Sequence, residues 1–282
     1  MIVGIIGAGT MGAEIAQVFA SSGKYEVKLC DMTNALAQSG NDKISARLSR
    51  AVQRGRITQE QAASALEKIT PGTISLAADC SLIIEAVQEK IATKKAVFES
   101  LMDLCSKDTI FTSNTSSLSL TDLSKGLDRP VIGMHFFNPV SVMELVEVIP
   151  PHNTPQQTLN RILSIIESIG KTPVIMKDAA GFVVNRLLIP MINEAAAIYS
   201  EGVADAKGID TAMRLGANHP IGPLALADLI GLDVCLAVLE VLQLETGDSK
   251  YRPHPLLKAM VRDGKLGRKS GCGFYDYPHK KA

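Results

Sequence analysis

The sequence predicts an α/β protein in which a doubly wound sheet is followed by an all-helical C-terminal domain. Three observations lead to this fold class. A short apolar run passes directly into a glycine turn and then a helix. Strand-like and helical runs then alternate up to about residue 176. From residue 181 onward the pattern is helical, with apolar residues on nearly every face. We therefore predict two domains, 1–179 and 180–282.

The first elements follow in a regular order. The strand "IVGII" leads into "GAGTMG" and the helix "AEIAQVFASSG", and a second strand, "YEVKLCD", ends on Asp31. Residues 35–68 mix basic and apolar positions as one or two exposed helices do. Two buried strands, "DCSLIIEAV" and "DTIFTSNTS", are then separated by the helical run "ATKKAVFESLMDL". This alternation indicates a parallel sheet.

The later elements change from strands to helices. After "VIGMH" we predict a strand from Val142 to Ile149, a helix around "QQTLNRILSIIESIG" and a last strand, "TPVIMK". Three further helical stretches follow: "GFVVNRLLIPMINEAAAIYSEG", "GIDTAMRLGA" and "PLALADLIGLDVCLAVLEVLQLETG". Helices that are apolar all round need burial, which a second subunit can supply. A homodimer through the helical domain is therefore expected.

Composition excludes several kinds of partner and site. Lys and Arg number 29, as do Asp and Glu, so nothing favours nucleic acid or an anionic membrane as the main partner. The five cysteines are scattered without a C-x-x-C spacing, which predicts neither a zinc site nor a disulfide framework. A reducing cytoplasm fits this pattern. Acidic residues interrupt the longest apolar run, 224–244, so we expect no membrane span.

The glycine turn carries the pattern of a dinucleotide-binding loop. Gly7, Gly9 and Gly12 stand as G-x-G-x-x-G between strand and helix, and Asp31 ends the second strand about 20 residues on. The glycines allow the backbone to approach a pyrophosphate, and Asp31 can accept hydrogen bonds from ribose hydroxyls. Because a carboxylate repels a 2′-phosphate and the following "MTN" has no arginine, NAD is favoured over NADP. The predicted contact loop is Gly7, Ala8, Gly9, Thr10, Met11 and Gly12.

A histidine and a carboxylate stand out in "HFFNPVSVMELVEVI". Strand alternation places Glu147 among the large apolar residues Met143, Leu145 and Ile149. An ionised carboxylate on a buried face requires a partner, and His135, at the end of an apolar run, is the obvious candidate. Such a pair suits general acid/base catalysis, because the carboxylate orients the imidazole and stabilises the imidazolium. The alternatives are a core histidine and an edge-strand carboxylate facing water.

The motifs together resemble one family from end to end. "GAGTMG", "SNTSSLSLT", "GMHFFNPVSVMELVEVI", "GFVVNRLLIPMINEA", "LGANHPIGPLALADLIGLD" and "LGRKSGCGFYDY" are similar to the 3-hydroxyacyl-CoA dehydrogenase family, most closely its short bacterial 3-hydroxybutyryl-CoA members. The resemblance implies a Rossmann domain joined to a helical dimerisation domain. It also implies reversible oxidation of an (S)-3-hydroxyacyl-CoA to the 3-ketoacyl thioester with NAD.

The same resemblance assigns roles to the catalytic residues. His135 corresponds to the acid/base and Glu147 to its partner, in agreement with the alternation argument. Ser116 and Asn185 match polar residues that surround the substrate oxygens. Taken alone, Ser116 is equally explained as a helix cap and Asn185 as a helix-start residue.

Further positions match the family's cofactor and coenzyme A contacts. Glu89 and Lys94 correspond to contacts with the nicotinamide half, although on pattern alone they read as a solvated helix face. Arg47 and Arg54 match positions that touch coenzyme A, with a solvated charged face as the alternative. The remaining implied cofactor contacts are Asn114, Ser116 and Lys269.

Two positions in the catalytic stretch depart from the commonest family pattern, and rival functions stay open. Ser141 stands where proline is usual and Glu144 where lysine is frequent, which predicts a changed surface and a looser turn rather than altered chemistry. One rival is a related dehydrogenase of another 3-hydroxy acid, or one that prefers NADP. The other is a dinucleotide-binding relative without useful turnover. Acyl chain length is not readable from the sequence.

Overall fold

An eight-stranded sheet organises the first part of the computed structural model, which describes residues 1–277. The strand order is β3-β2-β1-β4-β5-β6-β7-β8, so the order in which strands are added switches to the other side of β1, where the glycine turn begins. The strands are β1 (Ile2–Ile6), β2 (Glu26–Asp31), β3 (Ile69–Thr73), β4 (Leu82–Glu85), β5 (Ile110–Ser113), β6 (Val131–Phe136), β7 (Leu145–Ile149) and β8 (Thr172–Ile175).

Helices flank this sheet, and their ends follow local sequence signals. Thr33 accepts a hydrogen bond from the Leu36 amide at the start of the second helix, and Thr58 forms a capping box with Gln61 at the third. The helices are α1 (Thr10–Ser21), α2 (Asn34–Gln53), α3 (Gln59–Glu67), α4 (Ile91–Leu104), α5 (Leu120–Ser124) and α6 (Gln156–Ser168). Helices α1, α2, α3 and α6 share one core with the strands, which includes Ile15, Phe19, Leu29, Ile84, Met134, Val148 and Ile162.

The sheet departs from the predicted parallel arrangement at β7. Strands β1 to β6 are parallel, whereas β7 is antiparallel to β6 and β8 is parallel to β7. Only residues 137–144 connect β6 to β7. A parallel crossover needs about a dozen residues or more, so a connection this short forces the reversal.

One strand was not predicted, and the start of another was wrong. The unpredicted strand is β3, an edge strand whose Pro71 and Gly72 weaken the strand signal. The strand predicted to begin at Val142 begins at Leu145, because the Val142 and Met143 amides both donate to the Pro139 carbonyl in a turn. Met143 is consequently 42% exposed and does not flank Glu147 on a buried face.

The chain divides into two compact units, Met1–Ala179 and a second unit that begins at Ala180. The last part of the predicted second domain, 278–282, lies outside the described residues. Within the second unit, Gly231 at φ 106° separates two helices that the sequence pattern had joined. The helices are α7 (Val184–Ser200), α8 (Ala206–Gly216), α9 (Pro223–Ile230), α10 (Leu232–Thr246) and α11 (Pro255–Arg262).

The helical unit has a core of its own. Ile192, Leu232, Leu239 and Leu257 are fully buried within it. Of the helices in residues 1–277, none combines the length and apolarity needed to cross a bilayer.

Candidate active site

The turn between β1 and α1 has the shape of a phosphate cradle. Gly7 adopts φ 103°, and its amide donates to the Cys30 carbonyl at 2.7 Å. A Cβ at Gly12 would lie 1.8 Å from the Gly7 oxygen, so only glycine permits this approach of helix and turn. A Cβ at Gly9 would meet no protein atom within 4 Å. The open space at Gly9 therefore fits a pyrophosphate approaching the amides of the helix N-terminus.

Asp31 at the end of β2 is held beside this cradle. Its Oδ2 accepts a hydrogen bond from the Ala8 amide at 2.7 Å, and its Oδ1 accepts one from the Met32 amide at the same distance. A carboxylate oxygen can accept more than one hydrogen bond. The fixed carboxylate can thus also receive ribose hydroxyls.

His135 and Glu147 form a buried pair on β6 and β7. The antiparallel register places the two residues opposite each other, and His135 Nδ1 lies 2.7 Å from Glu147 Oε2. Glu147 has no exposed surface and lies on a strand flanked on both sides, which excludes the water-facing edge carboxylate. A carboxylate at Nδ1 fixes the imidazole tautomer and leaves proton exchange to Nε2.

The loop after β5 contacts the strand that carries His135. Asn114 Oδ1 accepts a hydrogen bond from the Phe136 amide at 2.8 Å, next to His135. The Phe137 ring lies against the imidazole, with 4.5 Å between centroids. Asn114 therefore joins the end of β5 to the strand that carries His135.

Glu89 organises the serine-rich segment that follows Asn114. Its Oε1 accepts hydrogen bonds from the Thr115 hydroxyl at 2.6 Å and from the Ser116 amide at 2.8 Å, and weaker ones from the hydroxyls of Ser116 and Ser117. Ser116 does not cap α5, because Ser119 does so by accepting from the Asp122 amide. The simple helix-cap explanation of Ser116 is therefore wrong.

Lys94 is buried rather than part of a solvated helix face. Its side chain is 1% exposed, and Nζ lies 2.7 and 3.0 Å from the two Glu85 oxygens and 3.1 Å from Glu89 Oε2. Burial raises the pKa of Glu85, and the attraction of Lys94 offsets only part of that rise. For Glu89, burial is outweighed by Lys94 and by hydrogen bonds from Thr115 and Ser116, so its pKa is lowered.

Sequence reasoning missed Glu85. This residue ends the apolar strand "LIIE" and is fully buried. The sequence pattern that could have identified Glu85 is the one that pointed to Glu147, namely an acidic residue inside an apolar strand.

Sequence reasoning also missed two residues that hold the turn between β6 and β7. Lys171 Nζ donates to the carbonyls of Val140 and Met143 at 2.6 and 2.8 Å. Glu14 Oε2, on α1, accepts from the Val140 amide at 2.7 Å. No local sequence pattern predicts these contacts, because they depend on how distant segments of the chain pack together.

The two arginines assigned to coenzyme A have different environments. Arg47 is half-buried, donates through Nε to Gln17 at 3.0 Å and lies 3.6 Å from Glu14. Burial lowers the pKa of Arg47, with an opposing contribution from Glu14. Arg54 is exposed at the C-cap of α2, about two turns further along the helix.

Two predicted site residues belong to the helical unit. Asn185 is the second residue of α7, as its helix-start interpretation requires. Lys269 lies in a 3₁₀ turn, Arg268–Ser270, and pairs with Asp233 at the start of α10. The buried carboxylate of Asp228 accepts hydrogen bonds from the Phe274 and Tyr275 amides, which anchors the segment that follows this turn.

Comparison with known families matches both units. The model described as the 3-hydroxyacyl-CoA dehydrogenase NAD binding domain matches residues 2–179, and that of the C-terminal domain of the same family matches residues 181–277. The chain belongs to the 3-hydroxyacyl-CoA dehydrogenase family. It is therefore an oxidoreductase, and its first unit is of the type that binds a nicotinamide dinucleotide.

Individual members of this family are similar over nearly their whole length. The 3-hydroxybutyryl-CoA dehydrogenase of Clostridioides difficile is 49% identical over 98% of this chain and 99% of its own. That of Bradyrhizobium diazoefficiens is 45% identical over 98% and 94%. The crystal structure of (S)-3-hydroxybutyryl-CoA dehydrogenase PaaH1 from Ralstonia eutropha aligns with a TM-score of 0.93 at 44% identity, covering 98% of each chain.

Proposed function

We propose that this protein interconverts (S)-3-hydroxybutyryl-CoA and acetoacetyl-CoA with NAD(H), and acts on short-chain 3-hydroxyacyl-CoA substrates generally. The observation that carries the proposal is the buried 2.7 Å pair of His135 and Glu147, in a chain that also holds an open glycine cradle. The names of the similar dehydrogenases support this choice of substrate.

In the proposed oxidation, His135 removes the proton of the 3-hydroxyl group through Nε2. Glu147 stabilises the imidazolium that results, and in the reverse direction the imidazolium returns the proton. Bound NAD⁺ supplies the acceptor for the C3 hydride. Ser116 and Asn185 are proposed to hold the substrate oxygen and stabilise charge that develops on it. The bonds from Ser116 to Glu89 support its placement by fixing the serine backbone.

The cofactor is proposed to be NAD rather than NADP. Asp31 is fixed by the Ala8 and Met32 amides, so it cannot easily turn away from a 2′-phosphate. No arginine occurs in the next three residues. The proposed cofactor contacts are the loop Gly7, Ala8, Gly9, Thr10, Met11 and Gly12, together with Asp31, Glu89, Lys94, Asn114, Ser116 and Lys269.

The remaining proposals concern coenzyme A, assembly and location. Arg47 and Arg54 are proposed to contact coenzyme A phosphates, for which guanidinium groups are suited.

A homodimer through the helical unit is supported by its exposed leucines, of which Leu215 and Leu244 are 80% and 82% exposed. The free cysteines support a reducing cytoplasm.

A kcat/KM series over C4 to C16 3-ketoacyl-CoA substrates, with NADH and NADPH in parallel, tests the function. We expect the highest value with acetoacetyl-CoA and NADH. His135→Gln should lower kcat by ~10²–10⁴-fold with little change in cofactor affinity, the usual effect of losing an acid/base group. Unchanged turnover in that variant would remove His135 from the mechanism. NADH binding without turnover of any substrate by the unmodified protein would instead favour a non-catalytic relative.

A further inference from the structure

The buried carboxylate of Glu85 stands outside the roles described so far. It has no exposed surface, and three groups donate four hydrogen bonds to its two oxygens. Lys94 Nζ contacts both oxygens, the Val87 amide donates to Oε1 at 2.6 Å, and the Ser113 hydroxyl donates to Oε2 at 2.6 Å. Burial raises the pKa of this carboxyl, but every contact in the site donates to the carboxylate and none accepts a proton from it, so these contacts hold the ionised form. Glu85 thus supplies a fixed negative charge at the C-terminal end of β4.

Lys94 joins this charge to Glu89. The same ammonium lies 3.1 Å from Glu89 Oε2, while Oε1 of Glu89 holds Thr115 and Ser116. If Lys94 and Glu89 stood alone, their charges would cancel. With Glu85 present, two carboxylates share one ammonium and the cluster keeps one net negative charge. Lys94 can therefore fix the position of Glu89 without neutralising it.

We propose that Glu85 is a positioning residue that preserves the negative charge of the Glu89 site and thereby favours the oxidised nicotinamide over the reduced one. The inference rests on the proposed function, which places Glu89 at the nicotinamide half of the cofactor. An oxidised nicotinamide ring carries a positive charge and a reduced ring carries none. A net negative cluster therefore stabilises only the oxidised form by Coulomb attraction, and the partly buried location limits solvent screening.

The test compares dissociation constants for NAD⁺ and NADH, with NADH measured by its fluorescence and NAD⁺ by displacement of NADH. Glu85→Gln keeps the side-chain shape and removes one charge. The ratio Kd(NAD⁺)/Kd(NADH) should rise ~3- to 10-fold, as expected for losing one charge of the cluster at an intermediate effective dielectric. The control Glu99→Gln, on the exposed face of α4, should leave the ratio unchanged. A merely structural role would weaken both cofactor forms alike, and an unchanged ratio in folded Glu85→Gln would overturn the inference.

A further variant keeps the inference testable if Glu85→Gln does not fold. Glu89→Gln removes the same unit of charge from a side chain that is 37% exposed, so the ratio should again rise. An unchanged ratio in Glu89→Gln would also overturn the inference. If the unmodified protein bound neither NAD⁺ nor NADH, the proposed function itself would fail.

Discussion

At the scale of single residues, the proposed chemistry depends on a carboxylate that touches one nitrogen of an imidazole. Glu147 is fully buried and lies 2.7 Å from His135 Nδ1, so it can stabilise positive charge on the ring without competition from water. The neighbouring Glu144 is exposed, which agrees with the expectation that it changes the surface alone. The two glutamates therefore form a matched pair for substitution.

Glu147→Gln should lower kcat by ~10²–10⁴-fold, because an amide can orient the imidazole but cannot stabilise its charged form as a carboxylate does. Glu144→Gln should leave kcat within about twofold, as expected for an exposed position without a partner in the mechanism. Steady-state reduction of acetoacetyl-CoA by NADH measures both. Equal kcat values in the two variants would show that Glu147 does not assist His135.

Residues with a strong local signal could be predicted from the sequence, and residues placed by packing could not. Glu147 and Asp31 were singled out because each ends or interrupts a strand in an informative context. For Lys94, a solvated helix face stayed open as the alternative to a cofactor contact, because its neighbour Lys95 is also basic and helix periodicity alone did not decide which one is buried. Glu85 carried a similar signal, an acidic residue in an apolar strand, but β4 has only four residues, too few to establish an alternation that would mark its face as buried.

At the scale of elements, two glycines of the β1–α1 turn are expected to be needed for different reasons: Gly9 for cofactor binding and Gly12 for folding. Gly9→Ala should leave the melting temperature nearly unchanged, since its Cβ meets no protein atom, but should weaken NADH binding at least ~10-fold by occupying the space of the pyrophosphate. Gly12→Ala should lower the melting temperature, because its Cβ would overlap the Gly7 carbonyl.

Thermal unfolding and NADH fluorescence titration distinguish the two glycine variants. If Gly9→Ala bound NADH as tightly as the unmodified protein, the turn would not be the phosphate cradle. If Gly12→Ala were as stable as the unmodified protein, the close approach of turn and helix would not limit this position.

The turn between β6 and β7 is an element whose geometry the sequence left open. Ser141 in place of the usual proline led to the expectation of a looser turn, yet Lys171 and Glu14 hold both sides of Val140. The reversal of β7 itself follows from the short connection and could have been predicted from its length. The brace by Lys171 could not, because it links segments about 30 residues apart.

Lys171→Met should destabilise the protein by ~1–3 kcal/mol, since methionine retains much of the apolar stem but leaves the Val140 and Met143 carbonyls without their donor. Lys177→Met, at an exposed position after β8, should change the free energy of unfolding by less than ~0.5 kcal/mol. Chemical denaturation of both variants measures the difference. Equal stability would mean that the ammonium does not hold the turn.

At the scale of the whole molecule, each of the two units has a hydrophobic core of its own. The change of pattern near residue 180 made this division predictable, because strands cease where the apolar helices begin. The sequence did not show which leucines of those helices stay exposed, since helices that are apolar all round give no inward face. Leu215, Leu229 and Leu244 are at least half exposed in the helical unit, as is Met32 in the first unit.

Sedimentation should therefore give a mass close to twice the 30.1 kDa of one chain. Exposed leucines on the helical unit favour a partner surface, because burial of apolar surface gains ~25 cal/mol for each Å² removed from water. Leu215→Glu, Leu229→Glu or Leu244→Glu should raise the dimer dissociation constant in at least one case, since a carboxylate buried at an apolar interface is costly. Met32→Glu, at a position 88% exposed in the first unit, should leave the mass unchanged. A monomeric mass for the unmodified protein, or dissociation caused by Met32→Glu alone, would contradict assembly through the helical unit.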